Sequence, residues 1–117
     1  MINVVTLVGR LTKEPTLQKT YGGNSIVSFN VAVGRNAPKQ GQPEADFIQC
    51  VAIGKTAENL CQYQHKGNLV GIVGRIQTRN YENRDGQRVY VTEVVCREIQ
   101  FLESRNQSDY QNQNTNY

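Results

Sequence analysis

The sequence predicts an all-β domain: a five-stranded barrel with one short helix between its third and fourth strands, followed by a polar tail. Three observations predict it. Five segments read as strands, and two of them, Ser25 to Gly34 and Leu69 to Tyr81, alternate faces with the period of two that a strand requires. Only one segment, Thr56 to Lys66, carries helical spacing together with helix-end residues. The last two strand candidates flank Asn83-Arg84-Asp85-Gly86, a strong hairpin tip.

Residues 3–11 (NVVTLVGRL) read as the first strand, with Gly9 placed to mark a bulge or sharp bend. Pro15 interrupts it, and Tyr21-Gly22-Gly23-Asn24 is a turn. Ser25 to Gly34 is the second strand, with Val27, Phe29, Val31 and Val33 on its core face and Ser28 and Asn30 opposite. Residues 35–45 hold Pro38, Gly41 and Pro43 among polar residues and form a loop. Asp46 to Ile53 is the third strand, apolar on both faces. In the helix, Thr56 is the expected N-cap, Glu58 and Lys66 suit the two ends of the dipole, and Gly67 is the expected stop. Ala57, Leu60, Cys61 and Gln64 share one face, which lets the helix lie over one end of a barrel. Leu69 to Tyr81 is the fourth strand and Gln87 to Leu102 the fifth.

Strand, strand, strand, helix, strand, strand is the order of an OB-fold, a partly open five-stranded barrel. The expected domain is residues 1–103. Residues 104–117 are dominated by Gln, Asn, Ser and Thr, keep no apolar pattern, and are expected to be a disordered tail.

The chain has 117 residues and a formal charge of +3. The charge is uneven: residues 1–102 hold twelve Lys/Arg against eight Asp/Glu, and the remainder one Arg against two acids. A mildly basic domain permits phosphate binding without requiring it. No stretch has the apolar length to cross a membrane, and no basic leader precedes an apolar block. Cys50, Cys61 and Cys96 are widely spaced and His65 is the only histidine, so no familiar zinc spacing can be drawn. Buried thiols in a reducing cytoplasm are the expectation, with no metal and no cofactor. No constellation of acid, base and nucleophile or phosphate-cradling glycine loop presents itself, so an enzyme is not expected.

The run from Val70 to Tyr81 carries the functional signal. Strand alternation puts Val70, Ile72, Gly74, Ile76 and Thr78 on one face and Arg75, Gln77, Arg79 and Tyr81 on the other. The second face is a row of cations ending in a ring. A single nucleic-acid strand asks for that chemistry: charge for phosphates and a flat surface for unstacked bases. Polar-out alternation is also ordinary in antiparallel sheets, so the run admits a plain solvated face as well.

With these elements in place, the chain resembles bacterial single-stranded DNA-binding proteins, in the short form found in low-GC Gram-positive bacteria and their phages or plasmids. The resemblance rests on NVVTLVGRLTKEP from Asn3, EADFIQCV from Glu44, KTAEN from Lys55, Lys66-Gly67, GRIQTRNYENRDG from Gly74 and VYVTEVV from Val89. It implies an OB-fold that assembles as a homotetramer, binds single-stranded DNA without sequence preference, and coats and protects it in replication, recombination and repair. It implies that Phe47 and Tyr81 stack bases, that Lys55, Lys66, Arg75 and Arg79 line the DNA path, and that Arg10, Arg35, Arg84 and Arg88 are further contacts. It also implies a cytoplasmic, nucleoid-associated location.

The chain departs from the family pattern in two respects. There is no Trp, and positions that relatives make aromatic are Ala37 or a neighbour and Ile53. Tyr21 and Tyr90 are candidate replacements, Tyr90 being equally suited to barrel packing. The sequence ends in QNQNTNY rather than an acidic cluster with Pro and Phe, which makes partner-enzyme docking through such a tip doubtful. Alternatives are an OB-fold interaction protein of a replication-restart complex, a natural-transformation or mobile-element paralogue, and an RNA-binding OB domain.

Overall fold

The computed structural model describes residues 1–36, 40–41 and 44–103. The strands are β1 (Val5–Leu11), β2 (Gln18–Lys19), β3 (Ser25–Gly34), β4 (Ala45–Ile53), β5 (Leu69–Glu82) and β6 (Arg88–Phe101), with α1 (Lys55–Tyr63) between β4 and β5. They form one sheet in the order β1-β5-β6-β4-β3-β2, and a further pairing of β1 with β3 closes it into a barrel. All neighbours are antiparallel except β4 and β6, which pair in parallel through Cys50–Val94 and Val51–Val95. This is the predicted OB-fold with one addition, the two-residue β2.

The core follows the strand alternation. Val27, Phe29 and Val31 of β3, Cys50 and Ala52 of β4, Val70 and Ile72 of β5, and Val94 and Cys96 of β6 all point inward. Leu11 and the helix residues Ala57 and Leu60 complete the cluster. Removing this apolar surface from water at roughly 25 cal/mol per Å² is the main force holding the barrel together.

Barrel closure depends on β1 changing partners. Val5 to Arg10 pair with β5, while Arg10 and Leu11 pair with β3. Gly9 sits at the change without a bulge: its ladder to Val70 is continuous. Its role is close approach, because a Cβ there would stand 2.7 Å from the Ala32 carbonyl oxygen. The register irregularity lies elsewhere. Val73 pairs with Glu98 and Gly74 with Cys96, which leaves Arg97 as the extra residue of a β-bulge. The bulge has a packing cause. Cys96 and Ile99 are three residues apart, and both reach the core only because one residue between them is unpaired.

The helix corrects two sequence expectations. Its N-cap is Gly54 at φ 70°, not Thr56, and no side chain caps it. The chain must turn sharply out of β4, and glycine alone takes the left-handed conformation cheaply. The Gly54 N–H donates to the Ser25 carbonyl (2.8 Å) and its carbonyl accepts from Glu58 N–H (3.1 Å), so Thr56 is already inside the first turn. At the other end Gln64 is extended, and Lys66 lies beyond the helix. Gly67 N–H donates to the Leu11 carbonyl and Leu11 N–H to the Asn68 carbonyl, so the chain is drawn back onto β1 before another turn can form.

The β5–β6 hairpin runs past the barrel end. Ile76 and Thr78, expected on the core face, are exposed there because the strands outrun their neighbours. The tip forms as the sequence predicts. Asn83 Oδ1 accepts from the N–H groups of Asp85 (3.0 Å) and Gln87 (2.9 Å), an Asx-type turn. At the domain end, one Glu103 oxygen accepts from Arg10 Nη1 and from Leu69 N–H, both at 2.8 Å. The expectation of a disordered 104–117 tail falls outside the described residues.

Candidate nucleic-acid interface

Register and alternation assign each side chain to a face. Cys50 pairs with Val94, and Val94 with Ile76, all with core parity. The opposite parity therefore puts Phe47, Gln49 and Val51 of β4, Val91, Glu93 and Val95 of β6, and Arg75, Gln77, Arg79 and Tyr81 of β5 on one outer face. The expected alternation of Arg75 to Tyr81 is present, and β6 joins it to the face carrying Phe47.

Phe47 is 68% exposed, although it stands between Asp46 and the core-packed Ile48. An exposed phenylalanine in a regular strand gains little from folding, so its ring is available to a ligand. Tyr81 is 46% exposed, and the Arg79 guanidinium carbon lies 6.0 Å from its ring centroid, within cation–π range. Arg79 Nε donates to Glu93 Oε1 at 2.9 Å, and Gln77 Nε2 donates to the same oxygen at 3.1 Å. The hydrogen bond to Glu93, then its charge, holds the Arg79 guanidinium above its ordinary pKa.

Apart from Arg79, the predicted basic residues divide into three groups. Among the described residues the side chains of Arg75, Lys55, Lys66 and Arg84 make no hydrogen bond or ion pair. Arg75 shares the outer face, Arg84 is at the hairpin tip, Lys55 opens α1 and Lys66 lies in the turn after it. Arg10 and Arg35 already hold acids: Arg10 pairs with Glu103, and Arg35 places Nε (3.2 Å) and Nη2 (2.7 Å) on Asp46 Oδ1. Arg88 pairs across from Glu82 and donates to Asn80 Oδ1, so it lies on the hairpin face opposite Tyr81. Tyr90 shares that opposite face and is 77% exposed, which removes barrel packing as its role. Tyr21 is fully exposed at its turn, and Ile53 is exposed with the same parity as Phe47. Ala37 lies outside the described residues.

Two features were not foreseen. One is Glu93, a carboxylate with only 3% of its side chain exposed. The other is a groove of about 410 Å³ between residues 13–18 and the sheet, its lining including Lys13, Glu14, Gln18, Ser28, Asn30 and Gln49. Asn30 pairs with Gln49, next along the face from the Ala32–Phe47 pair, so the groove continues the surface on which Phe47 stands. Alternation alone marks Ser28 and Asn30 as outward, a signal shared by any solvated strand. Among the described residues no group of three or more His, Cys, Asp or Glu side chains gathers to hold a metal ion. No helix among them is long and apolar enough to cross a membrane.

A closed barrel in this strand order, with its helix between β4 and β5 and a projecting final hairpin, defines an OB-fold protein. Residues 2–102 match the sequence model of the Single-strand binding protein family, and the chain belongs to that family. It is 59% identical over 110 residues to the single-stranded DNA-binding protein of Enterococcus faecalis, covering 93% of this chain and 58% of that one. It is 54% identical over 117 residues to single-stranded DNA-binding protein 3 of Streptococcus agalactiae, covering 99% and 85%. It is 54% identical over 112 residues to the single-stranded DNA-binding protein of Staphylococcus aureus, covering 95% and 72%. The chain thus spans little more than half of the Enterococcus relative and most of the Streptococcus one.

Proposed function

We propose that this protein binds single-stranded DNA without sequence preference and coats it during replication, recombination and repair. The observation that carries the reading is the outer face itself: two exposed rings, Phe47 and Tyr81, share it with Arg75 and Arg79. Rings accept any base, and the cations neutralise phosphates as counterions leave. The contacts are Phe47 and Tyr81 as stacking platforms, with Arg75, Arg79, Lys55, Lys66 and Arg84 along the backbone path. Arg10, Arg35 and Arg88 are lesser contacts, since each already commits a terminal guanidinium nitrogen to a protein acceptor, whereas Arg79 commits only Nε. The protein acts as a non-catalytic binder in the cytoplasm, associated with the nucleoid.

Assembly as a homotetramer fits the same reading. Among the described residues Val5 to Gly9 of β1 pair only with β5, and Val4 and Val8 are exposed beside them. An apolar edge with unpaired backbone groups invites a second chain. The test titrates the purified protein with poly-dT and with a blunt duplex of equal length, alongside light scattering. Tight binding to poly-dT, weak binding to duplex and a tetramer mass are expected. Equal affinity for the two nucleic acids would refute the binding reading, and a stable monomer at micromolar concentration the assembly.

A further inference from the structure

Glu93 lies on β6 between Thr92 and Val94, on the face that its same-side neighbours Val91 and Val95 fill with apolar groups. Its side chain is 97% out of water by the measure of its 3% exposure. Burying a carboxylate is costly unless close partners compensate it, and a valine there would cost nothing comparable. Its described partners are Arg79 and Gln77, both on the proposed binding face and both bonded to one oxygen, Oε1. It bonds to no core residue and to no helix residue among those described.

The geometry of the Arg79 contact is informative. A guanidinium has five N–H donors, and here only Nε is occupied, so the four N–H groups on the terminal nitrogens make no hydrogen bond among the described residues. The carboxylate holds the root of the fork and leaves its tines unbonded on a half-exposed side chain. The same orientation sets the guanidinium carbon 6.0 Å from the Tyr81 ring centroid. A fork that is already ordered loses less freedom when it meets a phosphate, and a cation on one side of a ring braces it for a base on the other.

We propose that Glu93 is a positioning residue for single-strand binding: it acts through Arg79, aiming the terminal nitrogens at the backbone and bracing Tyr81, and it touches no DNA itself. The inference rests on the binding function proposed above. It runs against simple electrostatics. Removing an acid beside a polyanion's path should tighten binding and steepen its salt dependence. Removing a positioning acid should weaken binding, because Arg79 is set loose.

The test compares the parent protein, E93Q, R79A, the double variant and R79K by anisotropy titration of labelled dT oligonucleotide across a salt series. Thermal melts confirm that each is folded. Binding by the parent checks the functional reading, whatever the variants do. E93Q is expected to bind about tenfold more weakly, and R79A to make little further difference in the E93Q background, as two residues acting as one unit require. R79K leaves Glu93 in place and keeps the charge but presents no planar fork. It is expected to lose affinity with its salt slope unchanged, and it decides the matter should E93Q fold poorly. The inference is overturned if the parent binds and folded E93Q binds as tightly or more tightly. It is equally overturned if the E93Q and R79A losses multiply independently, or if R79K matches the parent.

Discussion

Replacing Gly74 with alanine should unfasten the barrel where the hairpin leaves it. A Cβ at this position would lie 2.2 Å from the Val95 carbonyl oxygen, 3.0 Å from its carbonyl carbon and 3.1 Å from Cys96 Cα. All three are backbone atoms of the paired strand beside the bulge, so no change of rotamer relieves the contact. Carbon and oxygen ordinarily meet no closer than about 3.3 Å, so β6 or β5 must shift by about 1 Å. Forcing an added methyl into packed structure costs about 1–3 kcal/mol, and a clash with backbone in a continuous ladder belongs at the upper end. Alanine also restricts the unfolded chain, which returns about 0.4–1 kcal/mol. The net loss is about 2 kcal/mol, and at about 4–8 °C per kcal/mol for a domain of this size the melting temperature should fall by about 8–16 °C. Gly34→Ala is the matched control. Among the described residues Gly34 has no atom within 4 Å of its would-be Cβ, and its φ is not left-handed, so it should melt a few degrees higher. The assay is thermal melting by circular dichroism at one protein concentration, because assembly makes melting concentration-dependent. A Gly74→Ala protein melting within about 3 °C of the parent would show that the ladder yields, and the steric argument would fail.

Phe47→Ala and Tyr81→Ala should each weaken poly-dT binding by about 1–3 kcal/mol with the salt slope nearly unchanged, since neither carries charge; an unfolded Phe47→Ala or a silent Tyr81→Ala in the same titration would refute this. Arg75→Gln should lower the slope of log K against log salt by about 0.7, one phosphate on a single strand. Arg10→Gln and Arg35→Gln should change it less, because Glu103 and Asp46 already hold those charges; equal changes for all three would contradict the assignment. Glu14 supplies a pH signature. Hydrogen bonds from Lys66 N–H and then from the His65 ring hold its folded pKa below the ordinary carboxylate value. The stabilisation it supplies is complete above the unfolded pKa and is lost as pH falls through the lowered folded one. The melting gap between the parent and Glu14→Gln should therefore be open at neutral pH and shrink as the pH falls below the ordinary carboxylate range; a gap that widens on acidification would reverse the sign.

The strands and the hairpin were legible because their signals are local. Alternation from Val27 to Val33 and from Val70 to Gly74 records which side chains the core receives, and Asn83 to Gly86 records its own turn. The structure departs from the sequence reading where distant segments decide. The Gly54 cap follows from the Ser25 carbonyl it must meet, and the loss of Lys66 from the helix follows from Leu11. The bulge at Arg97 lets both Cys96 and Ile99 face the core, and no residue near Arg97 announces it. The candidate site shows the same division. Phe47, Arg79 and Tyr81 could be named from motif and alternation. The pairing of Arg10 with Glu103 across 93 positions could not, nor could the burial of Glu93 under groups from the neighbouring strand.

Glu103 sits two residues past the last strand residue, yet its one oxygen meets donors from Arg10 at the end of β1 and from Leu69 at the start of β5. Three separate stretches of chain are clasped at that atom. For anyone trimming or tagging the protein, the usable boundary therefore falls after residue 103 and not at Phe101. A fragment cut at Phe101 would retain every strand and still open the clasp. A dye, affinity handle or fusion partner joined beyond Glu103 would leave it closed.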